Sequence, residues 1–218
     1  MEKFTTVTGI ALPMLQANID TDQIIPVPEM TRSTEETHTR WGAGLFAYWR
    51  YQAGRDREPN PEFILNQDPW KNAVILLGGR NFGCGSSREA APKALRGYGF
   101  RAIVAPSFAG ILYGNSFRNG LLPVELPESE IAELARQMNA ANGRASVTVD
   151  LQTQLVTAPD GQAFPFVTPP PLRQMLLSGL DEIDQALQDT TAIESYWKND
   201  AVRRPWVYAL GKNGTLGD

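Results

Sequence analysis

The sequence contains a single cysteine, Cys84, and a single histidine, His38. No disulfide can close within the chain, and neither a Cys/His zinc site nor a four-thiolate iron–sulfur cluster can be assembled from it alone. A Ser-His-Asp triad would need His38, which sits in a polar stretch far from the candidate serines. Long apolar runs are also lacking: none approaches the ~20 residues that span a bilayer. The start of the chain, Met1-Glu2-Lys3-Phe4-Thr5-Thr6, has no charged-then-apolar leader pattern. A cytoplasmic protein without a membrane segment is therefore expected. Basic residues are not in excess, 20 against 24 acidic for a net charge of −4, so electrostatics give no case for nucleic acid or anionic lipid. A P-loop is excluded because no Gly-Lys-Ser/Thr occurs. Any metal or cluster chemistry would have to come from a partner chain.

What is present is an ordinary globular composition over 218 residues, enough for one domain of generous size with or without extensions. Strands and helices alternate, with a hairpin late in the chain, which predicts an α/β fold with a mixed sheet. Residues 4–10 read weakly as a strand. The segment Asn18-Ile19-Asp20-Thr21-Asp22 suits a turn or cap whose side chains hold nearby backbone N–H groups, with direct ligand contact as the alternative. Residues 27–40, polar and carrying Arg32, Glu35, Glu36 and His38, read as a surface loop or lid. Trp41, Leu45, Phe46 and Trp49 recur at near-helical spacing, as a core-facing stripe does. A connector rich in Pro, Asn and charge occupies 52–69. Buried strands are expected at 73–77 and 101–106, and Ser107 is placed to cap a helix at 108–113. An amphipathic helix follows, with Ile131, Leu134, Ala135 and Met138 on one face, closed by Asn142-Gly143. Val147, Val149 and Leu151 alternate along a strand, and Pro159-Asp160-Gly161 marks a hairpin. Leu172, Met175 and Leu176 share a helix face up to Gly179, and Ile183 and Leu187 another. From Thr190 the pattern loosens into a tail with Trp197, Trp206 and Tyr208.

The densest chemistry lies in Gly78-Gly79-Arg80-Asn81-Phe82-Gly83-Cys84-Gly85-Ser86-Ser87-Arg88-Glu89, between the strand at 73–77 and a helix begun by Ala90-Ala91-Pro92-Lys93-Ala94-Leu95. It is not a dinucleotide fingerprint: Arg88 stands where the third glycine belongs, and no acidic residue ends the next strand. Two readings remain open. Ser86-x-x-Glu89 fits a capping box, although Pro92 then falls inside the helix. Alternatively, the glycines let the backbone approach a small anion at a helix start. Arg88 then clamps a carboxylate, and Ser86 or Ser87 donates a hydrogen bond or carries a proton. Cys84, with no histidine nearby to activate it, reads as a small packed thiol.

Several stretches resemble one family. Asn81-Phe82-Gly83-Cys84-Gly85-Ser86-Ser87-Arg88-Glu89, Tyr98-Gly99-Phe100-Arg101, Ala105-Pro106-Ser107-Phe108-Ala109, Asn119-Gly120-Leu121-Leu122-Pro123 and Asn18-Ile19-Asp20-Thr21-Asp22-Gln23-Ile24-Ile25-Pro26 are similar to the small subunits of isopropylmalate dehydratases. These are swivelling β/β/α domains of the aconitase superfamily, with a mixed sheet flanked by helices. The resemblance spans most of residues 1–195. It implies a swivelling domain at 1–190, a C-terminal extension at 191–218, and a hydro-lyase active only with a large aconitase-like subunit that carries a 4Fe–4S cluster. In that family an iron with an open position acts as Lewis acid for the departing hydroxyl. The substrate it implies is a small dicarboxylate, 2-isopropylmalate, dehydrated and rehydrated to 3-isopropylmalate in leucine biosynthesis. Ser86 maps to the base and Arg88 to the carboxylate-binding arginine. Ser87 and Gly85 map to the same substrate shell, and Arg32 joins them as a further candidate from the loop after Pro26. The chain itself is expected to bind no cofactor. It departs from the family pattern at Ala90, Lys93 and the 27–32 loop. A small subunit of a maleate- or citraconate-type hydratase, or a non-catalytic partner subunit, is the alternative these departures leave.

Overall fold

In the computed structural model, which describes residues 1–32, 37–86 and 88–209, the strands divide between two sheets. β1 (Thr6–Gly9) and β2 (Ala11–Met14) are separated by one residue, Ile10, yet belong to different sheets. β2 lies beside β3 (Ile75–Gly78), β4 (Ala102–Ala105) and β5 (Leu122–Glu125) in a sheet that is parallel throughout, in the order β2-β3-β4-β5. β1 pairs antiparallel with β6 (Val147–Asp150), followed by β7 (Leu155–Thr157) and β8 (Ala163–Pro165). The parallel and antiparallel pairings expected of one mixed sheet thus occupy separate sheets, within the α/β class that the alternation predicts.

Each sheet has the sequence its surroundings demand. Every residue of β3 and β4 is buried, as the unbroken apolar runs of a parallel sheet covered on both faces require. β6 alternates instead: Val147 and Val149 are buried while Thr148 is partly exposed. On the polar side the Thr8 and Thr148 hydroxyls meet at 2.8 Å across the β1–β6 pair. Ala158 N–H donates to Gln162 O across the β7–β8 turn, where Gly161 takes φ +91°.

Helices connect the parallel strands. Between β2 and β3 lie α1 (Thr21–Ile24), α2 (Val27–Thr31), α3 (His38–Ala43) and α4 (Ala47–Arg50). α5 (Ala90–Tyr98) joins β3 to β4, α6 (Gly110–Arg118) joins β4 to β5, α7 (Glu128–Ala140) leads towards β6, and α8 (Pro170–Ser178) closes the unit. In α7, Ile131, Leu134, Ala135 and Met138 are all buried, and the helix packs on β2 and β4. It ends where Asn142 and Gly143 adopt positive φ. α8 ends at Gly179, φ +73°.

Three sequence expectations are corrected. Residues 27–32 and 37–40 are largely helical, as α2 and the start of α3, rather than an open loop; 33–36, including Glu35 and Glu36, lie outside the described residues. The Trp41-to-Trp49 stripe is two helices, not one, because Phe46 adopts φ +49° at the N-cap of α4. Its core-facing character holds: Leu45 and Phe46 are fully buried and both tryptophans pack on the core. Residues 190–209 are largely helical rather than loose.

The chain forms two compact units, Met1–Gly179 and one beginning at Leu180; the boundary expected at 190 falls on the first residue of a helix in the second. That unit contains α9 (Glu182–Ala186), α10 (Thr190–Arg203) and α11 (Pro205–Ala209). Asp200 organises its last turn: the carboxylate accepts from Arg204 Nε and Nη2 at 2.7 and 2.8 Å and from the Tyr208 hydroxyl at 2.9 Å. The Arg204 guanidinium, with the Tyr208 hydroxyl bond, holds the Asp200 carboxyl below the usual carboxylate range against the opposing effect of desolvation.

Candidate active-site loop

Because β2, β3 and β4 run parallel, the segments that leave their C-terminal ends emerge along one edge of the sheet. Residues 15–20 follow β2, 79–89 follow β3 and 106–109 follow β4, and hydrogen bonds tie the three together. Asn18 N–H donates to Arg80 O at 2.8 Å, Gly83 N–H to Ile19 O at 2.7 Å and Thr21 N–H to Cys84 O at 2.9 Å. On the other side Asn81 N–H donates to the Ser107 hydroxyl at 2.9 Å and Phe82 N–H to Ser107 O at 3.0 Å. Ser107 therefore serves the loop instead of capping a helix. α6 begins at Gly110 with Ala109 at its N-cap and no side-chain cap.

Phe82 is the loop's apolar anchor. It is fully buried and meets Phe108 edge-on, with ring centroids 6.3 Å apart. Glycine is required next: Gly83 has φ +74°, and a Cβ there would fall 2.2 Å from Leu112 Cδ2. Gly85, at φ +94°, turns the chain so that Ser86 meets α1, a conformation glycine adopts without steric cost. Cys84 is half-buried, its thiol donating to Asn18 O at 3.5 Å, a packing role in line with the sequence reading.

The N-terminus of α1 receives the turn. Asp20 forms a capping box there: its carboxylate accepts from Gln23 N–H at 2.7 Å and the Gln23 side chain accepts from Asp20 N–H at 2.8 Å. This is the cap anticipated for residues 18–22. Thr21, 2 % exposed, donates its hydroxyl to Ser86 O and accepts from Ser86 N–H, both at 3.2 Å. Asp22 makes an ion pair with Nη1 of Arg88. Ser86 is exposed, and the Arg88 side chain is 22 % exposed against 53 % for Asp22. Ser86, Gly85 and Arg88 are thus brought together against α1. Ser87 lies outside the described residues.

The capping-box reading of Ser86 and Glu89 is overturned. α5 begins at Ala90, Glu89 is its N-cap, and no side chain caps it. Glu89 instead pairs with Lys93 at 3.6 Å, while Lys93 also lies 5.7 Å from the Trp41 ring centroid. With that start, Pro92 falls in the first turn, where its missing N–H removes no intrahelical bond.

Arg32 is engaged elsewhere. It pairs with Asp56 and, at 3.8 Å, with Glu29, which also pairs with Arg57. These residues line a cleft of about 330 Å³ together with Pro26, Tyr48 and Tyr51.

Thr21 and Asp22 are the neighbours that sequence reasoning did not join to Ser86 and Arg88. They lie some 65 residues upstream (|i−j| = 65 and 66), and the signal that connects them is the parallel pairing of β2 with β3.

An iron–sulfur cluster does not fit this chain. Its one cysteine is committed to the Asn18 carbonyl, and no group of three His, Cys, Asp or Glu suited to a metal occurs among the described residues. The loop offers an exposed hydroxyl beside a guanidinium, groups that donate hydrogen bonds to an anion rather than ligate a metal.

The chain is similar to known proteins throughout its length. Residues 1–129 match the model of the aconitase C-terminal domain, and residues 132–168 match the LeuD_N model. A 3-isopropylmalate dehydratase small subunit from Cupriavidus necator is 49% identical, over 97% of this chain and all of its own. A protein of the same name from Rhodospirillum centenum is 46% identical, again over 97% of this chain and all of its own. Among solved structures, a 3-isopropylmalate dehydratase from Methanocaldococcus jannaschii superposes with a TM-score of 0.59 at 26% identity, covering 88% of this chain and 99% of that one. With the loop, the sheet edge and the near-complete overlap agreeing, the chain belongs to the 3-isopropylmalate dehydratase small-subunit family, built on the aconitase C-terminal domain.

Proposed function

We propose that this chain is the small subunit of a two-chain hydro-lyase that interconverts 2-isopropylmalate and 3-isopropylmalate by removing and re-adding water, the isomerisation step of leucine biosynthesis. The observation that carries the proposal is the loop at the sheet edge, where Ser86 and Arg88 share one backbone turn held by Thr21 and Asp22. In this reading Ser86 is the base. It takes the proton from the carbon that lies between the hydroxyl-bearing carbon and a carboxylate, and it returns a proton when water re-adds in the opposite sense.

A serine hydroxyl is a weak acid, so this role needs a preorganised polar site closed off from water. An exposed Ser86 in the separate subunit fits a site that is completed by a second chain. Arg88 clamps a substrate carboxylate. Its guanidinium has five N–H donors; Asp22 engages Nη1 and leaves the others for the ligand. Gly85 lies in the same turn; Ser87 enters the substrate shell through the family motif alone, and Arg32, paired with Asp56 and Glu29, enters only as a further substrate contact from the segment after Pro26. The partner is a large aconitase-like subunit. The 4Fe–4S cluster is assigned to it because the residues here do not fit one, and no step on this chain runs through the cluster. The cytoplasm is the location that goes with this proposal.

The test is reconstitution with the large subunit and assay of alkene-diacid hydration. Arg88→Lys should raise KM by roughly 10- to 100-fold, since an ammonium does not reproduce a planar two-donor clamp. An unchanged KM would remove Arg88 from the substrate site.

A further inference from the structure

Nothing in the catalytic roles given to Ser86 and Arg88 explains the position of Thr21. It is one of the few buried polar residues among those described, 2 % exposed, and lies at the first position of a helix of only four residues. A hydroxyl buried there would be expected to return to its own helix or to a neighbouring cap. Instead it spans to another element and engages both backbone groups of one residue: it accepts from Ser86 N–H and donates to Ser86 O, each at 3.2 Å. Thr21 N–H donates to Cys84 O at 2.9 Å, so the same residue fixes the chain two places earlier as well. Gly85 lies between these attachments at φ +94°, with no side chain of its own to hold it. Its Cα would carry a Cβ 3.5 Å from Thr21 Oγ1, an ordinary contact distance. On this face, therefore, Thr21 fixes the turn that presents Ser86.

We propose that Thr21 is a positioning residue for Ser86: its buried hydroxyl fixes the Ser86 backbone and so sets where Ser86 Oγ stands relative to Arg88. This rests on Ser86 acting as the base. The capping box of Asp20 and Gln23 makes the site of attachment rigid. The helix that holds Thr21 is thus closed at its own N-terminus by two hydrogen bonds. Asp22, one residue on, fixes Arg88 from the same turn, so the hydroxyl and the guanidinium are registered against a common frame. Catalytic geometry is sensitive to such support: a displacement of about 1 Å can lower a rate on the order of 100-fold.

The experiment uses the reconstituted two-subunit enzyme with Thr21→Val, Thr21→Ser, Ser86→Ala and the Thr21→Val/Ser86→Ala double variant. Val keeps the shape of Thr and removes the hydroxyl. It should lower kcat on the order of 100-fold while KM stays within about threefold, because Arg88 and Asp22 are untouched. Thr21→Ser, which restores a hydroxyl, should recover most of kcat. In the Ser86→Ala background Thr21→Val should have no further effect, since a residue that acts through Ser86 has nothing left to position. A purely structural role would show neither the rescue nor the loss of effect in the double variant. If Thr21→Val does not fold, Thr21→Ala is compared with Thr21→Ser in the same way. Wild-type kcat in the hydroxyl-free variant alongside an inactive Ser86→Ala would overturn the role of Thr21 alone. Wild-type kcat in Ser86→Ala would overturn the base assignment, and the role of Thr21 with it.

Discussion

Gly83→Ala isolates the steric demand that shapes the loop, and the structure supplies its own control. Gly83 and Gly54 share the same backbone angle, φ +74°, but differ in surroundings. A Cβ on Gly54 meets no heavy atom within 4 Å, whereas one on Gly83 falls 2.2, 2.7 and 2.9 Å from Cδ2, Cγ and Cβ of Leu112. Leu112 is 2 % exposed, and because its Cβ is among the clashing atoms, rotating the side chain does not relieve the contact; α6 must shift. Left-handed backbone costs a non-glycine residue roughly 1–2 kcal/mol, so Gly54→Ala should lose about that much. Overpacking adds roughly 1–3 kcal/mol, so Gly83→Ala should lose about 2–5 kcal/mol of a stability that is typically ~5–15 kcal/mol in total. Urea unfolding followed by tryptophan fluorescence reads the difference as a shift in midpoint at constant m. In a thermal scan it corresponds to roughly 2–4 °C per kcal/mol for a chain of this size. Equal destabilisation of the two variants would refute the claim that Leu112 closes the space at Gly83.

Two further outcomes follow from the ion pairs. Asp22→Asn should leave the melting temperature within a few degrees, because a partly exposed pair contributes only ~0–1 kcal/mol. In the reconstituted enzyme its KM should rise as Arg88 loses its orientation; a fall in KM would mean that Asp22 competes with substrate for the same donors. Glu133 is held by hydrogen bonds from Arg136 at 2.6 and 2.7 Å and from Gln137 at 2.8 Å, which lower its carboxyl from 4.5 to about 2. A carboxyl lowered in the folded state contributes stability that is fully present above 4.5 and is lost as pH falls towards 2. Glu133→Gln should therefore flatten the stability profile in that window and leave its slope at neutral pH unchanged. The same acid loss in both proteins would show that the Arg136 pair does not persist in solution.

The local patterns in the sequence led to the right elements wherever burial and periodicity agreed. The i, i+3, i+4, i+7 apolar spacing from Ile131 to Met138, the alternation of Val147 and Val149 and the Pro159-Asp160-Gly161 turn each appear in the structure as expected. Apolar runs such as Ala102–Ala105 identified buried strands, but they do not state which strand is the neighbour. β1 and β2 show the consequence: they are nearly continuous in sequence yet enter separate sheets.

Capping motifs were misleading where tertiary contacts competed. The Ser107 hydroxyl accepts from Asn81 N–H across strands, and Ser86 bonds Thr21 through its backbone, so neither serine caps the helix that follows. Residues 27–31 look featureless because a five-residue helix held by its flanks needs no apolar period. The exposed Val27 and the Glu29–Arg57 pair are consistent with that. At the candidate site, Ser86 and Arg88 were legible from their motif. Thr21 and Asp22 were visible as part of a cap or a ligand contact, but not as partners of the loop, since the contacts that join them to it are non-local.

Ser86→Ala tests the central claim most directly. The variant chain, combined with the proposed cluster-bearing large subunit and checked by visible absorption against the wild-type complex, is assayed for interconversion of 2- and 3-isopropylmalate. The account predicts that kcat falls by at least ~100-fold, the scale of a lost general base, with binding of the diacid retained through Arg88. Wild-type turnover by that complex would contradict it.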